Sequence, residues 1–210
     1  SPLQSGMASL AHKVQASFNE QDKATLVRHG MSYGSPSIKQ ALGELKAEGC
    51  DELVVLSLYP QNALSTTGVV ADKTLAALSA LDWHPQTKLV GYYSAHLLYL
   101  EAIAASIRAA GFDSSAGDKL LFAFHSIPVR DIRNGDDYED KARATANAVA
   151  RLLELDVQDW ALGFQCRFDK ARSWLGPFIP EALQTLGAPR GRLFVVAPNF
   201  SIDCLETLYD

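Results

Sequence analysis

The sequence is short of cysteine, of long apolar runs and of positive charge, and each shortage closes a class of function. Only three cysteines occur, Cys50, Cys166 and Cys204. Widely spaced and odd in number, they fit neither a disulfide framework nor a zinc site, and they suit a reducing cytoplasm. No segment approaches the unbroken apolar length of a membrane span. A net charge of −5, with no basic cluster, argues against nucleic acid as the main partner, because neutralising phosphates requires grouped Lys and Arg. Neither a dinucleotide-binding glycine fingerprint, nor a P-loop, nor a C-x-x-C pair is present. The opening residues, Ser1-Pro2-Leu3, carry no initiator methionine and no signal-peptide pattern. Together with a last helix that runs into Asp210 without a stop signal, they are expected to belong to a piece of a longer polypeptide.

What is present reads as a globular α/β chain. Its 210 residues are 48% apolar and 20% charged, enough for one large domain or two lobes. Helices are expected over 5–18, 38–48, 69–81, 97–110, 138–155 and 178–186, and strands over 24–27, 52–58, 88–93, 120–128, 160–165 and 193–197. Ser35 or Ser37 can cap the second helix and Gly49 can end it. Strands alternating with helices predict βαβ units and parallel sheets covered on both faces. The linker-like run 112–118 (FDSSAGD) sets the expected boundary between lobes 1–111 and 112–210.

The stretch 120–128, LLFAFHSIP, is the focus of this arrangement. A buried strand would deliver His125 and Ser126 to its carboxyl end, where open α/β sheets bind ligands. Other strand ends carry polar or aromatic residues too, among them Tyr33, Tyr59, Gln61, His96, Gln165 and Asn199. In the last segment, Asp203, Glu206 and Asp210 fall at i, i+3 and i+7, so a helix there would align three carboxylates on one face. Such a file ending opposite a histidine suits the handling of a cation such as Fe2+, and a solvated helix face explains it equally well. Trp174, beside Gly176-Pro177, is either a core residue or a stacking wall. Tyr33, Tyr59, Phe168 and Trp174 could together line a large flat ligand.

Taken in order, several motifs resemble the ferrochelatase family, the class II chelatases that insert Fe2+ into protoporphyrin IX. They are M-S-Y-G-S-P-S-I at 31–38, Y-P-Q at 59–61, S-T-T at 65–67, F-H-S-I-P at 124–128, G-D-D-Y at 135–138, F-Q-C-R-F at 164–168, W-L-G-P at 174–177 and D-C-L-E-T-L at 203–208. The resemblance covers nearly the entire chain. It implies two Rossmann-like lobes with parallel sheets flanked by helices, a chelatase-like fold incomplete at both ends. It implies a lyase of haem biosynthesis, cytoplasmic or peripheral to the membrane, acting on protoporphyrin IX and ferrous iron. His125 and Glu206 match the family's catalytic histidine and glutamate, and both are implied in metal handling, with Asp203 and Asp210 extending the acidic path. Tyr33, Ser126 and Trp174 match the porphyrin pocket.

Several departures qualify that resemblance. Ser32 stands where most relatives carry an arginine. Leu64 stands where some relatives place a cluster cysteine, and three scattered cysteines predict no iron–sulfur cluster. Family members also have a segment before the Ser-Pro-Leu point, including the apolar lip through which membrane contact is expected, and a closing segment after the glutamate motif. The alternatives are a sirohydrochlorin-type chelatase using Co2+ or Ni2+, and a non-catalytic tetrapyrrole-binding remnant.

Overall fold

A serine sets the first well-defined helix start: Ser37 Oγ accepts from the Gln40 N–H while the Gln40 side chain accepts from the Ser37 N–H, a reciprocal capping box. A computed structural model describes residues 2–21, 23–167 and 169–208. In chain order the elements are α1 (Pro2–Glu20), α2 (Ile38–Ala47), β1 (Glu52–Leu56), α3 (Val69–Ala80), β2 (Gln86–Val90), α4 (Leu97–Ala109), β3 (Lys119–His125), α5 (Val129–Arg133), α6 (Tyr138–Leu152), β4 (Trp160–Gln165), α7 (Ile179–Leu186), β5 (Leu193–Val196) and α8 (Leu205–Leu208). This is the α/β architecture, with parallel sheets flanked by helices, that the alternating pattern predicts.

The described residues divide into two compact units, one drawn from 2–58, 64–91 and 202–208, the other from 59–63 and 92–201. The 112–118 stretch, the expected lobe boundary, therefore lies inside the second unit. Its anchor is Asp118, whose side chain is 2% exposed. The carboxylate accepts from the Arg192 backbone N–H at 2.6 Å, the Arg192 guanidinium at 2.9 Å and the Asp113 N–H at 3.1 Å. Phe112 packs edge-on against Phe194 with centroids 5.3 Å apart. A polar, glycine-containing run is thus tied down by one buried acid.

These bonds, led by the one from the Arg192 backbone, hold the Asp118 carboxyl below its ordinary pKa. A depressed carboxyl contributes stability that is present above its unfolded pKa of about 3.9 and is lost as pH falls through the lower folded value. Asp118→Asn is expected to lower the thermal midpoint at neutral pH and to flatten its fall below about pH 4, as read by thermal melts across the acid range.

In the first unit β1 and β2 pair in parallel, Glu52 opposite Gln86 through Leu56 opposite Val90. Leu42, Leu45, Leu53, Ala77 and Leu78 form its core, with Trp83 and Leu81 packed around it. The expected two-sided cover is not found here: Val54 and Leu56 are 65% and 54% exposed, so β1 alternates instead of being buried throughout. The expected strand at 24–27 is also not formed. Gln15 of α1 takes the place of a neighbouring strand, its Oε1 accepting from the Val27 N–H at 2.8 Å and its Nε2 donating to the Thr25 carbonyl at 2.7 Å.

The second unit holds a parallel sheet in the order β4-β3-β5. Its central strand is buried on both faces, with Leu120, Leu121, Phe122, Ala123 and Phe124 all at most 2% exposed. That is why an unbroken apolar run was needed there. Residues of α4 and α6, including Leu100, Ala104, Ala142, Ala146 and Val149, complete the main core. Close approach of α7 to β4 depends on Gly163: a Cβ there would stand 3.0 Å from both Ile179 Cα and Ala182 Cβ. Gly163→Ala is expected to cost about 1–3 kcal/mol by overpacking, visible as a lower urea midpoint at unchanged slope.

Candidate active site

β3 carries His125 to the edge of its buried run, and the ladder to β4 closes one step later, where the Ser126 N–H donates to the Gln165 carbonyl at 2.8 Å. The imidazole Nδ1 lies 2.6 Å from the Ser126 carbonyl oxygen. A carbonyl can only accept, so Nδ1 donates, and among the neutral tautomers this is the one with the lone pair on Nε2. Phe200 meets the imidazole edge-on at 6.3 Å between centroids.

Ser126 itself is 1% exposed, and its hydroxyl donates to the Leu175 carbonyl at 2.8 Å. That bond, with the Leu175 N–H donating to the Ile127 carbonyl at 2.9 Å, fastens the turn after His125 to the W-L-G-P segment. Trp174 bridges Pro128 through its backbone, and its indole N–H donates to the Asp169 carbonyl at 3.1 Å. Arg172 lies 5.1 Å from the Trp174 ring centroid and hydrogen-bonds Asp169, holding that carboxyl below its usual range.

Tyr33 is 76% exposed. Lys73 of α3 sits 3.9 Å from its ring centroid and also donates to the Ser32 carbonyl, so a cation stands over the M-S-Y turn although position 32 is serine. Residues 30–34 also spell G-x-S-x-G. No strand leads into them and α2 begins only at Ile38, so this is not the strand–turn–helix elbow of a serine hydrolase.

The helix of the acidic segment starts later than expected. α8 begins at Leu205, not at Ser201 or Asp203: ahead of it Asp203 Oδ1 accepts from Thr207 Oγ1 at 3.1 Å, and Thr207 Oγ1 accepts from the Cys204 N–H at 3.0 Å. Asp203 thus precedes the helix and does not share a helical face with Glu206. Burial, and after it the Glu206 side chain, pushes the Cys204 thiol above its ordinary pKa. Asp210 and Phe168 lie outside the described residues. Among the described residues no group of three or more His, Cys, Asp or Glu side chains is placed to hold a metal ion. Tyr33, Asp203 and Glu206 belong to the first unit; His125, Ser126 and Trp174 belong to the second.

The second unit also holds two buried polar sets that sequence reasoning did not assemble, the second of which reaches the His125 backbone. Gln61 Nε2 donates to Tyr99 Oη at 3.1 Å and to Thr145 Oγ1 at 3.0 Å, and Tyr99 Oη donates to the Pro198 carbonyl at 2.6 Å. Tyr138 Oη donates to the His125 carbonyl at 2.8 Å and accepts from Asn199 Nδ2 at 3.2 Å. Burial drives both tyrosine hydroxyls far above their ordinary pKa, so they remain neutral donors. The available signal was the presence of Gln61, Tyr138 and Asn199 at or beside element ends, but nothing in their spacing says that they meet.

The family model described as Ferrochelatase matches residues 1–210. A ferrochelatase of Nitrosococcus oceani is 38% identical over 209 residues, covering 99% of this chain and 56% of the relative. One from Aromatoleum aromaticum is 40% identical over 186 residues, covering 88% of this chain and 51% of the relative. One from Escherichia coli is 40% identical over 185 residues, covering 88% and 58% respectively. The chain spans about half the length of the curated relatives it matches. With a match along all 210 residues and relatives 38–40% identical over most of its length, this chain belongs to the ferrochelatase family.

Proposed function

We propose that this chain carries the metallating machinery of a ferrochelatase, which inserts Fe2+ into protoporphyrin IX to give protohaem and two protons. The observation that supports the reading is the placement of His125 at a strand's carboxyl end with Nδ1 2.6 Å from the Ser126 carbonyl oxygen, a geometry that in the neutral imidazole puts the lone pair on Nε2. Metallation must remove two pyrrole N–H protons and strip water from the metal, so it needs a base of near-neutral pKa and ligands that release the ion again. His125 is the proton acceptor in this reading. Glu206 takes the metal or the second proton, and Asp203 and Asp210 lead the cation towards it.

Tyr33 and Trp174 form the apolar contacts of the macrocycle, and bending that macrocycle would expose its nitrogen lone pairs. Ser126 contributes through the turn that it fastens. Protoporphyrin IX and ferrous iron are the substrates, and nucleic acid is not a partner. An iron–sulfur cluster is not expected, since such clusters take four ligands, usually all cysteine, and the sequence has three scattered cysteines. The same cysteines, which form no disulfide, support a cytoplasmic setting. No described helix is long and apolar enough to cross a membrane, and peripheral contact through a lip segment outside this chain fits the same reading.

Anaerobic metallation tests the proposal: this chain and a version extended at both ends are mixed with protoporphyrin and Fe2+ or Zn2+, and the porphyrin absorption is followed. Turnover in the extended form is expected. Porphyrin binding without turnover in either form would favour a tetrapyrrole carrier, and turnover only with sirohydrochlorin and Co2+ would favour the other chelatase branch.

A further inference from the structure

The peptide that joins His125 to Ser126 is held at both ends. Its N–H, on Ser126, donates to the Gln165 carbonyl at 2.8 Å, and its carbonyl, on His125, accepts from Tyr138 Oη at 2.8 Å. Tyr138 is 3% exposed and opens α6, where its own N–H donates to Asp136 Oδ1 at 3.0 Å. Asn199, from the segment after β5, is 8% exposed and donates through Nδ2 to the same hydroxyl at 3.2 Å. The direction of these bonds is fixed by chemistry. The His125 carbonyl can only accept, so the tyrosine proton points at it, and the hydroxyl lone pair is left for the asparagine N–H. The Asn199 side-chain oxygen has no partner of its own, so burying this residue costs free energy that the single Nδ2 bond must offset.

The orientation of the 125–126 peptide matters because the next carbonyl along, that of Ser126, is the acceptor for His125 Nδ1. If the peptide plane tips, the Ser126 carbonyl turns with it, and the bond that keeps the proton on Nδ1 lengthens. We infer that Asn199 and Tyr138 are positioning residues that choose the imidazole tautomer of His125: asparagine orients the tyrosine hydroxyl, the hydroxyl holds the His125 carbonyl, and the pinned peptide aims the Ser126 carbonyl at Nδ1. Nothing in this chain of contacts touches the reacting atoms. The arrangement resembles the way metal-ligating histidines are oriented by an acceptor on their other nitrogen, with the control moved one peptide further back. The inference deepens the metallation reading and rests on it for its functional meaning, because a base at Nε2 requires the Nδ1–H tautomer.

The test is the nitrogen spectrum of the chain labelled with 15N-histidine, without metal, at a pH where the imidazole is neutral. His125 resonances are those missing from the His125→Ala spectrum. In the unsubstituted chain Nδ1 is expected in the protonated range and Nε2 in the pyridine-like range. Tyr138→Phe keeps the ring and removes the hydroxyl, and it is expected to shift the tautomer ratio about fivefold towards Nε2–H, the ratio that one hydrogen bond of about 1 kcal/mol supplies. Asn199→Ala is expected to shift it the same way by less, and it serves alone if Tyr138→Phe does not fold. Unchanged His125 resonances in the folded variants, or an Nε2–H tautomer in the unsubstituted chain, would overturn the inference. Undiminished turnover in His125→Ala would instead remove the metallation reading and leave the tautomer result standing.

Discussion

His125→Ala in the extended protein is expected to lower metal insertion by about 10²–10⁴-fold, the usual contribution of a positioned general base, while porphyrin affinity stays close to its original value. The split follows from where the side chain sits. His125 ends a strand whose preceding five residues are buried, so truncating it leaves the sheet intact, and the apolar contacts expected to hold the macrocycle are made by other residues. Loss of turnover with binding kept would therefore locate the defect in proton or metal transfer. Loss of both would mean that the imidazole holds the ring. Intact turnover would remove the histidine from the reaction altogether.

Phe124→Ala should have the largest effect on folding, about 3–5 kcal/mol, measured as the loss of unfolding free energy in urea. Phe124 is completely buried in the central strand, and its ring lies 6.3 Å from that of Phe164 on the neighbouring strand. Both faces of β3 are covered, which limits how far the surroundings can collapse into the space left behind. Set against a typical total of about 5–15 kcal/mol, a change of this size leaves the second unit marginal at physiological temperature. Because Phe124 directly precedes His125, the variant should also lose turnover, but with a lowered unfolding midpoint that His125→Ala does not share. The pair of variants thus separates support of the site from chemistry at the site.

The central strand and its histidine could be read from residues alone, because a strand buried on both faces must be apolar at every position and the change to His-Ser-Ile-Pro marks where that burial stops. The cap of the second helix was legible only as Ser35 or Ser37, and the reciprocal bonds with Gln40 select Ser37. Residues 24–27 misled for the opposite reason: Ala-Thr-Leu-Val, with two β-branched residues, looks like a strand, and only the distant Gln15 shows that its backbone is satisfied by a helix side chain. β2 runs over Gln86–Val90, earlier than the apolar residues suggest, because register with β1 begins at the polar pair Glu52 and Gln86. The helix of the acidic segment was started too early. Spacing of i, i+3 and i+7 assumes a helix already present at Asp203, whereas that residue spends its carboxylate beside Thr207 ahead of Leu205. The Tyr138–Asn199 pair was invisible because the two residues are 61 positions apart and meet only through the fold.

The most direct test of the claim that His125 and Glu206 carry metallation is the rate of Fe2+ insertion by the extended protein with alanine at both positions. Two groups serving one reaction are not additive, so the double variant is expected to fall little below the His125 single variant, with porphyrin still bound. Normal metallation by the double variant would contradict the account.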